Sequence, residues 1–373
     1  MSTAVASPSL NILVVRPDRL GDVVLSTPVL EVLKRHYPKS RLTFMVREAV
    51  APVVRGLPAI DDLMIFDPEG QHAGTAGFFR LLSEIRQHNF RIAVVLQSHW
   101  KIAAALFAAG VRYRVGPLNK PHSFLYFNRG VRQRRSQVEM HEADYNLQLL
   151  RRLGIRVPSR TVPTRVVASA EAREQARQWL RERGWQEGGS PLVAIHPGMG
   201  GSALNWPETH YLELTRAMLK DGYQVLLTGG PQEGELLQRL AAELGPGRSR
   251  VMLYGGADVG LLDRLVGLYS WIDLAVAPST GPLHVAAALG KPVVTFYPPI
   301  RVQSALRWGP YLPDDRRASI LTPEVYCGEE FRCRGNLCNY YPCMRSLSVS
   351  QAVEQIRSQL SRAHETGAAG GKS

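Results

Sequence analysis

Short apolar runs alternate with amphipathic stretches in the first half of the chain. Runs that fit strands buried on both faces occupy residues 10–16, 41–46, 62–66 and 91–97. Apolar side chains at helical spacing occupy residues 77–88, 101–110 and 142–154. Residues 23–36 are also helical in pattern. That helix begins either at Thr27 and Pro28, or near Asp22 with a kink at the proline.

The same alternation restarts after a proline-containing boundary at residues 155–166. Strands are predicted at 191–198, 223–230, 250–256, 273–278 and 292–297, and helices at 171–183, 207–220, 232–244, 260–269, 282–289 and 349–360. Two such blocks predict an α/β protein of two doubly wound parallel-sheet domains. We expect the domains at residues 1–160 and 161–346, followed by a C-terminal helix and disordered tail at 347–373.

Length and composition are those of an ordinary globular protein. The chain has 373 residues, which suits two domains of ~150–200 residues, and 45% of its residues are hydrophobic. No apolar run approaches the ~18–20 residues that span a bilayer. The first residues, MSTAVASPSL, lack the basic and apolar regions of a secretory signal. The sequence therefore predicts a cytoplasmic protein.

The chain is strongly basic, with a formal net charge of +13. Nucleic acid, anionic lipid headgroups and phosphorylated substrates all suit such a charge, and so does a merely basic, soluble surface. Zinc-finger spacing, a basic zipper and an aromatic RNP-like strand are all missing, so we expect no nucleic-acid partner. The basic run at residues 131–136 is typical of a solvated face, with contact to an acidic acceptor or anionic headgroups as the alternative.

The four cysteines lie close together near the C-terminus, at Cys327, Cys333, Cys338 and Cys343. Their spacings do not match the paired C-x-x-C pattern of zinc sites, and a cytosolic setting disfavours stable disulfides. We interpret them as structural thiols and assign no metal site. A metal or cluster site is the alternative.

The stretch V-A-P-S-T-G-P-L-H (276–284) joins a predicted strand to a predicted helix. Pro282 suits the first helical position, where it loses no useful N–H. Ser279, Thr280 and Gly281 then lie where the unpartnered amides of the first turn and the helix dipole favour an anion. The sequence predicts a phosphate site here, and an ordinary capped helix is the alternative.

Two further loops follow predicted strands in the second block. Residues 196–207 supply Gly200, Gly201 and Ser202, whose amides suit phosphate oxygens although the loop is neither a Walker A motif nor G-x-G-x-x-G. Gly229 lies in T-G-G-P-Q-E (228–233) and is expected to add a backbone contact. The imidazoles of His196 and His284 are expected either to contact a ligand or to pack inside the domain.

The stretch R-P-D-R-L-G-D (16–22) follows the first predicted strand. The carboxylate of Asp22 could take a proton from an attacking hydroxyl, or could simply cap a helix. Gly21 allows close approach of a substrate, and we place Arg19 and Lys101 with it on the acceptor side. Ligands of such folds bind beyond the carboxyl ends of the strands, so we expect the two domains to face each other across a cleft.

Four ordered motifs give the chain a family resemblance. R-P-D-R-L-G-D-V-V-L-S-T-P-V-L, H-P-G-M-G-G-S-A-L-N-W-P-E-T-H-Y, L-L-T-G-G-P-Q-E and A-P-S-T-G-P-L-H-V-A-A-A-L-G-K-P-V-V-T-F-Y together resemble glycosyltransferase family 9, the ADP-heptose:lipopolysaccharide heptosyltransferases. The cysteine-bearing end, C-M-R-S-L-S-V-S-Q-A-V, is also similar to that family. The resemblance covers nearly the whole chain.

The resemblance implies a GT-B fold and a reaction. Two Rossmann-like domains would face a cleft, with the acceptor mainly on the N-terminal domain and the donor mainly on the C-terminal one. A sugar would pass with inversion from a nucleotide-diphosphate donor, expected to be ADP-heptose, to a lipopolysaccharide-core or related surface-glycan acceptor. Asp22 matches the family's proposed catalytic base. Thr280 and Gly281 match residues that hold the donor diphosphate, with His284 nearby.

No cofactor is expected, and the chain has no D-x-D motif that would hold a cation on the diphosphate, so we expect a metal-independent transferase.

Two positions depart from the family. Leu204 stands where heptosyltransferases carry a phosphate-binding lysine, a charge that Lys101 or an arginine could replace. Ser279 stands where they tend to carry an aspartate associated with the donor sugar.

The alternatives to a glycosyltransferase are a GT-B sugar-nucleotide epimerase and a non-catalytic nucleotide-binding homologue. The basic charge fits an anionic glycolipid acceptor and peripheral association with the cytoplasmic face of the inner membrane.

Overall fold

The computed structural model describes residues 10–201, 203–256, 262–327 and 332–370. The chain divides into two compact units. The first comprises Met1–Arg135 and Glu142–Val162, and the second comprises Ser136–His141 and Pro163–Ser373. The chain thus passes to the second unit for residues 136–141, returns to the first, and leaves it finally after Val162.

The first unit alternates strands and helices. Its strands are β1 (Asn11–Val15), β2 (Arg41–Val46), β3 (Asp62–Ile65), β4 (Ile92–Val95), β5 (Tyr113–Pro117) and β6 (Arg129–Val131). Its helices are α1 (Leu20–Val24), α2 (Thr27–His36), α3 (Ala51–Val54), α4 (Gly74–Gln87), α5 (Trp100–Ala108), α6 (Pro121–Tyr126) and α7 (Glu142–Gln148). β1 and β4 are almost wholly buried because helices cover both faces of the sheet.

The second unit repeats this plan. Its strands are β7 (Leu192–Ile195), β8 (Gln224–Thr228), β9 (Val251–Tyr254), β10 (Leu274–Pro278), β11 (Val293–Phe296) and β12 (Ala318–Leu321). Its helices are α8 (Ala170–Arg181), α9 (Glu208–Lys220), α10 (Gly234–Ala242), α11 (Leu262–Trp271), α12 (Gly281–Ala288), α13 (Ala305–Trp308) and α14 (Val349–Gly370).

Each unit contains one six-stranded parallel sheet with the same strand order. The order is β3-β2-β1-β4-β5-β6 in the first unit and β12-β11-β10-β7-β8-β9 in the second. Numbered within its own unit, each sheet therefore follows the doubly wound order 3-2-1-4-5-6, which defines the Rossmann-like fold. This confirms the predicted class of two doubly wound α/β domains.

The strands that sequence patterning missed are the weakly apolar ones. β5 has the sequence Y-R-V-G-P, and β6 and β12 are short edge strands that are only partly buried. Residues 23–36 form two helices rather than one kinked helix, because α1 ends at Val24 and α2 begins at Thr27 with Pro28 in its first turn. The predicted helix at 142–154 is helical as α7 and continues as a 3-10 turn over Leu149–Leu153.

The C-terminal helix packs into the core of the second unit. Trp206 stacks on Phe296 with ring centroids 4.1 Å apart, and its indole Nε1 donates a 2.8 Å hydrogen bond to the Leu347 carbonyl oxygen. Ala352 and Ile356 of α14 lie in the same buried cluster. The helical backbone of α14 extends to Gly370, into the tail that the sequence predicts to be disordered, since Ala368 and Ala369 favour helix. In the described part of the chain, no helix has both the length and the apolar character needed to cross a membrane.

Candidate functional site

The strand order fixes where each unit can hold a ligand. In a doubly wound sheet, the crossovers on either side of the order reversal run to opposite faces, so the loops at the carboxyl ends diverge and leave a crevice. The reversal falls between β1 and β4 in the first unit and between β7 and β10 in the second. The loops after these strands contain the residues 16–22, 196–206 and 279–281 that the sequence predicts as functional.

The sequence predicts an anion site at the start of α12. Thr280 is the N-cap residue, with an extended backbone and no hydrogen bond from its side chain to the helix. Its hydroxyl Oγ1 is buried and has no hydrogen-bond partner. The first-turn amides of Gly281 and Leu283 have no intrahelical acceptor, and Pro282 has no N–H. The helix dipole adds partial positive charge at the same place. The site therefore offers donors to an anion from both main chain and side chain.

His284 lies one turn into α12 and is only 4% exposed. Burial, with a further contribution from His141, lowers the pKa of its imidazole to about 3. The imidazole is therefore neutral at physiological pH, and its Nδ1 is buried without a hydrogen-bond partner. His284 can add a hydrogen bond to this site but not a positive charge.

The glycine-rich loop after β7 contains two residues with left-handed backbone. Gly200 and Gly201 adopt φ values of +55° and +71°, in the left-handed region that side chains disfavour, and a Cβ at either would meet nothing within 4 Å. The loop is thus open to an incoming ligand at these residues. Ser202 lies outside the described residues. Leu204 packs against the buried core, and its N–H donates a 3.2 Å hydrogen bond to Gln303 Oε1.

The loop after β8 is occupied by internal contacts. The N–H of Gly229 donates to the Tyr254 carbonyl oxygen at 2.9 Å, and the N–H of Gly230 donates to Glu233 Oε2 at 2.7 Å. The geometry therefore does not support the predicted contact from the Gly229 amide to a ligand. Glu233 also reaches under the glycine-rich loop, because a Cβ on Gly198 would lie 2.0 Å from its carboxylate.

His196 belongs to a buried polar network rather than to an open loop. Its Nδ1 is 3.0 Å from the Thr228 hydroxyl, which is in turn 3.0 Å from the Tyr269 hydroxyl. Its Nε2 is 3.6 Å from Glu233 Oε2. Burial lowers the pKa of His196, and Glu233 opposes that shift. The network joins the loops after β7 and β8, so His196 has the interior role that the sequence left as one alternative.

In the first unit, Asp22 is held by a buried arginine. The guanidinium of Arg16 donates from Nη2 to Asp22 Oδ1, and its Nε lies 2.7 Å from Asp18 Oδ2. The side chains of both aspartates are 21% exposed, whereas that of Arg16 is 3% exposed. Burial raises the pKa of the Asp18 carboxyl, and Arg16 opposes the shift. Arg16 thus orients two carboxylates that solvent can reach.

The rest of this cluster was not singled out from the sequence. Glu142 of α7 is 1% exposed and accepts hydrogen bonds from Arg16 and Arg135, and Asn146 Oδ1 lies 3.2 Å from Arg16 Nη1. Arg135 belongs to the basic run at 131–136, so this member of the run faces a buried carboxylate rather than solvent. The sequence feature that could have indicated this cluster is Arg16, a charged residue directly after an apolar strand.

The predicted acceptor-side residues have different environments. Arg19 is exposed at the start of α1, and Gly21 is half-buried beside Asp22. Lys101 is 9% exposed, and its ammonium donates to the carbonyl oxygens of His72 at 2.7 Å and Gly74 at 3.3 Å. The Lys101 side chain therefore stabilises the loop before α4, and its geometry does not support a contact with an acceptor.

Replacement of the buried guanidinium should destabilise the first unit. Arg16→Met would leave Asp18, Asp22 and Glu142 without their central cation, which should cost about 3–5 kcal/mol in the free energy of unfolding. The control is Arg41→Met, an exposed arginine whose partner is the partly buried Asp62; it should cost no more than ~1 kcal/mol. Urea denaturation measures both. Equal losses would contradict the structural role of the buried cluster.

The buried neutral histidine should make stability depend on pH. Because the folded-state pKa of His284 is about 3, below the ordinary value near 6.5, its contribution is complete above pH ~6.5 and is lost as pH falls towards the folded value. Between these limits the wild type should lose up to about 1.4 kcal/mol per pH unit more than His284→Asn. Denaturation curves between pH 5 and about pH 8 test this, with the exposed His36→Asn as the control. Parallel pH profiles for wild type and His284→Asn would contradict it.

Known proteins similar to this chain are glycosyltransferases. The family model described as glycosyltransferase family 9 (heptosyltransferase) matches residues 78–337. A candidate glycosyltransferase of Haemophilus influenzae is 32% identical over 316 residues, which cover 84% of this chain and 89% of that protein. The lipopolysaccharide heptosyltransferase 2 of Escherichia coli is 26% identical over 78% of this chain and 83% of its own length.

The fold has close neighbours among solved structures. The structure of the E. coli ADP-heptose lipopolysaccharide heptosyltransferase II superposes with a TM-score of 0.76 at 21% identity, covering 95% of this chain and 100% of that one. This similarity confirms the predicted GT-B fold with two Rossmann-like domains. From the family match and the relatives together, the chain belongs to glycosyltransferase family 9.

Proposed function

We propose that the chain is an inverting glycosyltransferase that moves a heptose or related sugar from a nucleotide-diphosphate donor, ADP-heptose in the first instance, to a lipopolysaccharide-core or related glycan. The observation that carries the proposal is the start of α12, where the buried Thr280 hydroxyl has no partner beside unpaired amides. Relatives named as lipopolysaccharide heptosyltransferases support the choice of donor and acceptor.

The donor's diphosphate would bind at α12 and the loop after β7. As the bond between the anomeric carbon and the diphosphate breaks, negative charge grows on the leaving oxygen. The amides of Gly281 and Leu283 and the Thr280 hydroxyl are fixed donors, so they stabilise that charge without reorganising. The open left-handed residues Gly200 and Gly201 let phosphate oxygens approach the main chain.

The acceptor would react with help from Asp22. Its carboxylate takes the proton of the acceptor hydroxyl while the hydroxyl oxygen attacks the anomeric carbon from the face opposite the diphosphate. The new glycosidic bond forms as the old one breaks, so the anomeric configuration inverts and the nucleotide diphosphate leaves. Arg16 holds the Asp22 carboxylate in place. Asp18 contacts the same Arg16 guanidinium and is therefore the carboxylate with which Asp22 is compared below.

The two departures from the family bear on the donor sugar. Leu204 packs against core residues, so it supplies no charge to a phosphate. The Ser279 hydroxyl lowers the pKa of the nearby buried Tyr297 phenol, against the larger effect of burial, and lacks the negative charge of an aspartate. We therefore include sugars related to heptose in the proposal. We also propose that the neutral donors around α12 act without a metal ion on the diphosphate.

A donor panel with purified protein tests the function. Nucleotide release from ADP-heptose and related nucleotide sugars is measured with and without a de-acylated lipopolysaccharide core, and NMR gives the anomeric configuration of the product. Asp22→Asn should lower kcat by about 10²–10⁴-fold with little change in donor KM, whereas Asp18→Asn should lower kcat far less. Thr280→Ala should lower kcat about 10²-fold, and the exposed Thr209→Ala should leave it unchanged.

Each alternative has its own outcome. Interconversion of the donor sugar without acceptor would replace the proposal with the epimerase. Donor binding without turnover on any acceptor would support a non-catalytic homologue. A product that retains the donor's configuration would exclude single displacement with Asp22 as base, and added EDTA tests whether a metal contributes.

We also propose peripheral association with the anionic cytoplasmic face of the inner membrane, which presents the glycolipid acceptor. Three neighbouring helices of the first unit expose large apolar side chains: Phe79 of α4, Trp100 and Phe107 of α5, and Phe124 and Leu125 of α6. Trp100 and Phe107 are seven residues apart and so share a helix face. The exposed cations of Arg80, Arg86 and Lys120 belong to the same helices or their caps, which suits an anionic lipid surface.

Vesicle sedimentation tests this surface. The chain should bind phosphatidylglycerol vesicles at low salt, bind phosphatidylcholine vesicles poorly, and be released at about 0.5 M salt because the charges are screened. The double variant Trp100→Ser, Phe124→Ser should weaken binding at least several-fold. The control Leu306→Ser removes a side chain of the second unit that is 56% exposed, and should not weaken binding. Equal binding in high salt would contradict the proposal.

A further inference from the structure

The segment between β12 and α14 has little regular structure. In its described parts, residues 322–327 and 332–348, only two 3-10 turns occur, Gly335–Leu337 and Cys343–Ser346. Large apolar side chains are exposed there, with Tyr326 at 81% and Leu337 at 86%. Residues 326–327 and 332–342 include no buried residue, so they need another source of stability, for which small domains commonly use disulfides or metals.

All four cysteines line one cavity in this segment. The cavity is about 190 Å³ in volume, and Cys327, Cys333, Cys338 and Cys343 are among its lining residues. Leu204 of the glycine-rich loop and Ile300, after β11, also line it. Although they are spread over 17 residues, the four cysteines therefore border one volume.

The four thiols differ little in their access to solvent. Cys343 is buried, and Cys327, Cys333 and Cys338 are partly buried. Four thiolates around one cavity repel each other, so they cannot all ionise without a cation among them. A divalent metal reverses this effect, because a coordinated thiol is deprotonated outright.

The surroundings suit an anionic thiolate group. The N–H of Gly335 donates to Cys333 Sγ at 3.3 Å, two residues along the chain, in a turn that requires the positive φ of Gly335, +56°. Hydrogen bonds of this kind orient and tune metal-bound ligands. Arg332 and Arg334 line the same cavity. Four thiolates on a divalent ion carry a net charge of −2, which two guanidinium groups can balance.

We propose that Cys327, Cys333, Cys338 and Cys343 bind one thiophilic divalent metal ion, Zn²⁺ or Fe²⁺, as a tetrahedral tetrathiolate. Binding forms four metal–sulfur bonds and releases the four thiol protons. A four-sulfur set suits either ion. The metal would have a structural role, since it would fasten Cys327 and residues 333–343 against Leu204 in the loop after β7 and Ile300 after β11. That loop belongs to the proposed donor site.

The cavity must contract for this to happen. Within the described ranges, no set of three or more His, Cys, Asp or Glu side chains is already arranged to hold a metal ion. Metal–sulfur bonds of ~2.3 Å would draw the four sulfur atoms together across a volume larger than one ion fills. Binding should therefore be coupled to ordering of the segment, as it is in other small thiolate sites.

Metal content of the full-length chain tests the proposal. The protein is purified in reducing, chelator-free buffer, and zinc and iron are measured by inductively coupled plasma mass spectrometry. We expect one equivalent of metal per chain, with the ratio of the two elements identifying the ion. Cys338→Ser and Cys343→Ser should each lose most of the metal. The control Asn336→Ser, an exposed position in the same segment, should keep it.

Measurements on the unaltered chain remain decisive if a cysteine variant fails to fold. Chelation should release the metal, make four thiols reactive towards a disulfide reagent and lower Tm. Co²⁺ added to the stripped chain should give the visible spectrum of a tetrahedral thiolate site. A chain that takes up no metal and has four reactive thiols, or one that contains two disulfides, would overturn the proposal. Neither readout depends on sugar transfer.

Discussion

In a parallel sheet, the loops that follow the strands all lie at the same edge. Space opens between neighbouring loops only where the strand order reverses. Both units of this chain have that reversal next to their first strand. The loops that directly follow these buried strands line the crevice in each unit. The function of the chain depends on how each unit uses this position.

The two units place different kinds of polar group at this edge of the sheet. The first places a buried guanidinium, Arg16, behind two partly exposed aspartates, and Glu142 and Asn146 complete its hydrogen bonding. The second uses neutral donors: unpaired amides, a hydroxyl and an imidazole whose burial keeps it uncharged. Fixed dipoles stabilise a developing anion well because they need not reorganise. The division suits base chemistry in the first unit and departure of an anion in the second.

The glycine-rich loop of the second unit has supports on two sides. Glu233 and the His196 network hold it from the direction of β8, and Gly198 is the residue whose missing Cβ admits the Glu233 carboxylate. On the other side, Leu204 lines the cavity that the cysteines share. The partly buried Leu204 side chain also packs against the core of the second unit. The glycine-rich loop and the cysteine cavity therefore belong to one region.

The sequence alone determined the two doubly wound domains, the helix that begins after Thr280, and the family, because buried parallel strands and capped helices leave local patterns of apolar residues, proline and glycine. It did not predict β5, β6 or β12, whose sequences are weakly apolar and whose pairing depends on a neighbouring strand. Nor did it predict that Lys101 and the Gly229 amide would be used internally, or that Arg16 would pair with Glu142, 126 residues away. Those contacts were decided by the tertiary structure, because a side chain's partners depend on which distant segments the fold brings within a few ångströms. The local sequence pattern does not specify which distant segments become neighbours.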